Sequence, residues 1–253
     1  MDSTTRDELT ATRAYCDRRA AHGREGAVRD PSDRRGLKNR FINHVLKQAF
    51  ADEMTWQGTE IALDLGCGTG ILTESIAAGA AMAVGLDISF AMLAQKPGMA
   101  NALFCQYDGI AFPLAASAFD RICTCEVIHL LSDSILRRVI RECQRVLKPD
   151  GEMISVEFGS GSPMRQDGRL SRFERDPEAT IALFRAEGLC CQRHYAVRRG
   201  RSLIQYLIRY GLVPESRFPE LARRERLRLR GRSAYKPAYN ADFLYVFHHD
   251  THG

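Results

Sequence analysis

An α/β fold, with strands and helices in alternation, is predicted for this chain by three observations. The run Ala62-Leu63-Asp64-Leu65 is short and apolar, and it ends in glycines at alternate positions, Gly66, Gly68 and Gly70, before an apolar-patterned helix opens at Ile71. Two further apolar runs, from Ala81 and from Ala102, each end in an acid, Asp87 and Asp108. Stretches with helical spacing follow, clearest in the stripe Ile135, Leu136, Val139, Ile140, Cys143, Val146 and Leu147. Strand, glycine turn and helix in that order make the ligand-facing corner of a nucleotide-type α/β domain. Any Cβ there would hold a ligand off the backbone. Glycine permits the positive-φ turn, and the helix points its first N–H groups into the same crevice.

Composition sets the bounds. With 253 residues and 45% hydrophobic content, the chain can build one good core, and one domain with embellishments is expected. No run approaches the roughly 18 apolar residues that a membrane span needs, and the opening Met1 to Asp7 lacks the apolar region of a signal peptide, so a cytoplasmic protein without a membrane partner is expected. Eight cysteines lie scattered with no C-x-x-C pair, which reads as buried thiols in a reducing compartment, with no metal. A net charge of +5 says little by itself about partners.

In chain order, residues 1–36 are rich in Arg, Asp and Ala and cannot form a core alone; they read as a flexible N-terminal arm or lid ahead of a domain over 37–253. Leu37, Phe41, Ile42, Val45, Leu46, Ala49 and Phe50 then keep helical spacing. Ser132 or Asp133 can cap the helix that runs to Leu147, and Pro149-Asp150-Gly151 is a turn. Phe158 to Asp176 reads as a loop, Pro177 to Gly188 as a helix, and Leu189 to Val197 as a strand. Two helices, Ser202 to Tyr210 and Pro219 to Arg230, precede the last strand at Asn240 to Phe247.

The sequence Asp64-x-Gly66-x-Gly68-x-Gly70 resembles motif I of the class I S-adenosylmethionine (SAM)-dependent methyltransferases. A dinucleotide fingerprint would need glycine at 71, where this chain has Ile71. The resemblance runs through the segments ending at Asp87 and Asp108, through Phe119 to His129, and through Leu147 to Glu157. It implies a Rossmann-like sheet of seven twisted strands with helices on both faces; beside it, the N-terminal stretch is read as a helical lid, and the segment at about 199–239, where the chain departs from the family's short connection, as a helical insertion that caps the acceptor pocket. It also implies a SAM cofactor against Gly66, Cys67, Gly68 and Gly70, with Asp64 near its amino group, Asp87 on the ribose, Ile88 against the adenine, and Asp108 with Gly109 at the adenine amine. Glu126 would line the methionine end. A faint likeness of the helix before motif I to cap guanine methyltransferases would let Lys38 or Asn43 clamp the carboxylate; a solvated helix face is the other reading of both.

Methyl transfer from a sulfonium is an in-line displacement, so the protein must align acceptor and methyl and exclude water, and an oxygen or protonated-nitrogen acceptor gains from a base. His129, Glu126 and Glu157 are the catalytic candidates, since all lie at or just past strand ends, with imidazole first because its unperturbed pKa is near neutrality. A locally hydrogen-bonded His129 is the bland alternative. The arginines of 219–230 have no interleaved aromatic, so a solvated face or a pocket for an anionic metabolite is preferred over nucleic acid. The expected activity is methylation of an oxygen or nitrogen of a small metabolite, an anionic one among the candidates. An RNA or cap-type methyltransferase and a non-catalytic SAM-binding module stand as alternatives.

Overall fold

The computed structural model describes residues 3–159, 165–167, 170–173, 175–200, 202–230 and 241–250. In chain order the elements are α1 (Ser3–Ala20), α2 (Gly23–Val28), α3 (Leu37–Glu53), β1 (Ile61–Leu65), α4 (Ile71–Ala77), β2 (Met82–Asp87), α5 (Phe90–Leu93), β3 (Ala102–Gln106), β4 (Phe119–Cys125), α6 (Asp133–Val146) and β5 (Leu147–Gly159). The remainder are β6 (Arg165–Asp167), β7 (Leu170–Arg172), α7 (Pro177–Ala186), β8 (Leu189–Arg199), α8 (Leu203–Arg209), α9 (Phe218–Arg230) and β9 (Ala241–His249).

Seven strands form one sheet in the order β3-β2-β1-β4-β5-β9-β8. The first five are parallel, and β9 inserts antiparallel between β5 and β8. Because side chains alternate across a strand, each central strand feeds two cores. Leu63, Leu65, Leu86, Ile122, Met153 and Tyr245 face α6 and α7, while Ala62, Ala83, Cys123, Ile154, Val156 and Val246 face α3 and α4. Each α6 stripe residue from Ile135 to Val146 is buried, as its spacing predicts. Ser132 occupies the N-cap of α6 without a side-chain capping bond, whereas Asp176 caps α7 by accepting from the Ala179 N–H at 2.7 Å.

Three segments differ in detail from their sequence reading. Residues 3–28, read as a flexible arm or helical lid, form the helices α1 and α2 and are held on the core, with Leu9 buried against Ile88 and Gly109. Part of the stretch read as a loop after Phe158 forms the β6–β7 hairpin, since two short chain pieces satisfy each other's backbone groups more readily than an open loop can. The helices α8 and α9 pack on α3 through Phe41, Val45, Ile208, Phe218 and Ala222, and none of their described residues lines the large cavity below; residues 231–240 of the expected cap lie outside the described residues.

The strand order reverses between β1 and β4, which opens a crevice at their carboxyl ends.

Candidate active site

A cavity of about 620 Å³ fills that crevice. Its floor is the turn after β1, one wall is α3, and α1, α2 and the segment to Pro31 form its roof. Gly66, Cys67, Gly68, Asp64, Asp87, Ile88, Gly109, Lys38, Asn43, Glu126 and His129 all line it, so the structure brings together most of the residues singled out from sequence. Gly70, Asp108 and Glu157 stand behind the lining. Gly70 occupies the N-cap of α4, Asp108 accepts the N–H groups of Ile110 and Ala111 at 2.8 Å each, and Glu157 is buried beneath His129.

The glycine at 66 answers a close approach. Its φ is 70°, and a Cβ there would run into Val127 of the loop after β4. A Cβ on Gly68 would lie 2.9 Å from Val28 in the roof.

Two buried acids flank this turn. Asp87, at the end of β2, accepts from the Gly68 N–H and from the Ser89 N–H, both at 2.8 Å. Burial nevertheless lifts its carboxyl to about 6, with those N–H groups opposing and Asp17 of α1 adding a little. Asp64 accepts from the Thr73 hydroxyl at 2.5 Å and is pushed up to about 7, burial again the main cause, with Thr73 opposing and the Asp87 charge contributing.

The opposite end carries residues that sequence reasoning missed. Arg29, just after α2, donates to Glu126 at 2.7 Å and to the Asn43 side-chain oxygen at 2.8 Å. Burial would raise the Glu126 carboxyl, but Arg29, then Arg198 and His129, outweigh it and hold the group below its ordinary value. Glu126 sits at φ 59°, a left-handed conformation rare for a residue with a side chain. Arg198, near the end of β8, donates to buried Asp242 at 2.6 Å and also lines the cavity. No local pattern marks Arg29 or Arg198; each matters only through where the fold carries it. Lys38 is already engaged by Asp30 at 3.0 Å, and Asn43 acts here as the seat for Arg29.

His129 lies in a single 3₁₀ turn, Ile128–Leu130. Its Nδ1 is 3.5 Å from Glu157 Oε2, an ion-pair distance rather than an aligned hydrogen bond. Glu157 itself is fixed by the N–H groups of Val127 and Ile128 at 3.2 and 3.1 Å. Among the described residues, no α9 arginine lines this cavity: Arg226 pairs with Asp52 and Arg224 with Glu220.

A family model described as a methyltransferase domain matches residues 62–151, the stretch that holds the glycine turn, Asp87, Glu126 and His129. Over that stretch the chain carries a methyltransferase domain that resembles those of the class I SAM-dependent methyltransferases. It is 35% identical over 98 residues to demethylmenaquinone methyltransferase of Corynebacterium urealyticum, covering 39% of this chain and 41% of that protein. It is 29% identical over 119 residues to ubiquinone biosynthesis O-methyltransferase of Coxiella burnetii, covering 45% and 49%. The chain thus spans about half the length of the curated relatives it matches. A SAM-dependent methyltransferase structure from Mesorhizobium loti superposes with a TM-score of 0.55 at 17% identity, covering 79% of this chain and 95% of that one, and shows the shared fold.

The cleft suits the cofactor of that family. Cβ-free backbone faces the cavity at Gly66 and Gly68, and a carboxylate waits at the end of β2.

Proposed function

We propose that the protein transfers a methyl group from SAM to a hydroxyl oxygen of a small, neutral, hydroxylated aromatic acceptor, with His129 as the base. The observation that carries this reading is the His129–Glu157 pair at the cavity wall. In the proposed assignment, Gly66, Cys67 and Gly68 present the backbone to the cofactor with Gly70 capping α4 behind them, Asp87 takes its ribose hydroxyls, and Ile88 with Gly109 holds the adenine, with Asp108 shaping that turn. Asp64 accepts from the amino group, and Arg29, seated by Asn43, faces the carboxylate with Lys38 behind it. When bound, SAM supplies a methyl group on a positively charged sulfur.

The chain's own residues then do two things. They hold the acceptor in line and dry, for which α1 and α2 serve as a lid. They also receive the acceptor's proton. With Nδ1 beside Glu157, Nε2 of His129 is the atom left to accept it, and the Glu157 carboxylate stabilises the imidazolium that results.

The charge balance favours a neutral acceptor. Both buried arginines at this end already have a carboxylate within 2.7 Å, Arg29 with Glu126 and Arg198 with Asp242, and Glu157 adds a further acid. With Arg29 shared between Glu126 and the cofactor's carboxylate and Arg198 held by Asp242, an anionic acceptor would meet no uncompensated cation among these groups, and a phenol or quinol needs none. Two of the similar proteins, a demethylmenaquinone methyltransferase and a ubiquinone biosynthesis O-methyltransferase by name, fit this class of acceptor.

The test is an assay of SAM consumption with catechols, benzoquinols and naphthoquinols, with carboxylated counterparts and RNA alongside, and mass spectrometry of the product. A methyl ether from a neutral acceptor, with kcat reduced by about 10²- to 10⁴-fold in His129→Ala, is the expected result. A methyl on carbon or nitrogen, or activity confined to RNA, would overturn it. Cofactor binding is checked separately by calorimetry, in which Asp87→Ala is expected to lose on the order of 10²-fold in SAM affinity and NAD is expected not to bind.

A further inference from the structure

Below the turn that carries His129, on the side away from the cavity, lies a buried guanidinium. Arg175 follows the β6–β7 hairpin, and its side chain is only 9% exposed. It donates from Nη1 to the Ile128 carbonyl at 3.1 Å and from Nη2 to the Leu131 carbonyl at 2.7 Å. Between these two the His129 carbonyl accepts the Phe173 N–H at 2.8 Å. Asp133, in the first turn of α6, holds the guanidinium through Nε at 2.9 Å and Nη2 at 2.6 Å. The turn is therefore gripped from both sides. Its leading N–H groups, those of Val127 and Ile128, point to Glu157, and its trailing carbonyls point to Arg175.

We propose that Arg175 is the positioning residue for His129, clamping the carbonyls of Ile128 and Leu131 so that the imidazole stays beside Glu157 at the cavity wall. A planar fork suits this role because it spans two carbonyls and a carboxylate at once, which a single ammonium cannot. Hydrogen bonding alone would be served by water at a surface turn. Here Ile128 and Leu131 are buried residues, and without Arg175 the turn must shift to find other donors. Arg175 does not itself line the cavity, so it acts only through the turn it clamps, where His129, Leu130 and Leu131 form the wall.

The inference rests on the reading of His129 as base, and the experiment separates the two. Arg175→Met and Arg175→Lys are made in the full chain, alone and combined with His129→Ala, and assayed with the best neutral acceptor of the panel. SAM affinity is followed by calorimetry and turn mobility by hydrogen exchange of the peptide spanning 126–134. The expected result is a fall in kcat on the order of 10²-fold for Arg175→Met, a smaller fall for Arg175→Lys, unchanged SAM affinity, and faster exchange confined to the turn. In the His129→Ala background Arg175→Met should cost nothing more. An equal loss in both backgrounds, or unchanged exchange in the turn, overturns the inference. A fully active His129→Ala instead overturns the base assignment, and with it any catalytic part for Arg175.

Discussion

Both oxygens of Asp87 accept backbone N–H groups, yet burial still holds its carboxyl near 6, so the ionised form is penalised by folding. A carboxyl raised from its ordinary value near 4 binds more protons folded than unfolded between pH 4 and 6, so its contribution to stability falls as pH rises through that window. Asp87→Asn has no such charge. The wild type is therefore expected to gain on Asp87→Asn by on the order of 2 kcal/mol as pH is lowered from 8 to 4, measured by urea unfolding without cofactor. A difference independent of pH would show that the carboxyl titrates normally. Asp64, lifted to about 7, shares the cradle, and SAM affinity should fall below neutrality as both acids take up protons. Arg29 has the reverse character: removing it leaves Glu126 buried without its partner. Arg29→Met should cost about 3 kcal/mol of stability and weaken SAM binding together, whereas a purely structural Arg29 would affect only the first.

Among the elements, α3 serves two masters. One face closes the sheet through Ile42, Leu46 and Phe50, and the other receives the inserted helices through Phe41 and Val45. Phe41 meets Phe218 of α9 edge to face, with centroids 5.6 Å apart, and both rings are fully buried. Phe218→Ala should therefore cost about 3–5 kcal/mol, read as an earlier urea midpoint, with SAM affinity retained because no described residue of α9 lines the cavity. Elements of this kind show how far the sequence is legible. The α6 stripe, the apolar strands, the glycine turn and Asp87 are visible because each is a local pattern whose meaning does not depend on distant residues. The partner of a helix is not local: nothing in Ser202 to Arg230 says that its apolar side meets Phe41 rather than an acceptor. Arg29, Arg175 and Arg198 escape for the same reason. They are three arginines in an arginine-rich chain until the fold brings each beside a carboxylate or a row of carbonyls.

Across the whole molecule, the arm of α1 and α2 is tied to the crevice at several separate points. Glu8 accepts the Ser132 N–H at 2.9 Å, Asp17 accepts from the Ser89 hydroxyl at 2.5 Å, and Arg24 donates to the Thr69 carbonyl at 3.3 Å and to Glu74 at 3.0 Å. Removing residues 1–20 is expected to leave the sheet folded, as judged by circular dichroism, while lowering SAM affinity by about 10-fold or more through loss of the roof over Ile88 and Gly109. Unchanged affinity would assign the arm to the acceptor alone.

The same ties set an order of events in time. Their partners are 45, 50, 72 and 124 residues further along the chain, at Thr69, Glu74, Ser89 and Ser132, and those sites are not in place until β1, β2 and β4 have been laid side by side. The first segment in the sequence is thus among the last to find its place, because closing such long loops brings no gain before the sheet is there to receive them. Substitutions such as Asp17→Ala should accordingly hasten unfolding while leaving the refolding rate almost untouched, so that the barrier to folding is crossed with the crevice still uncovered.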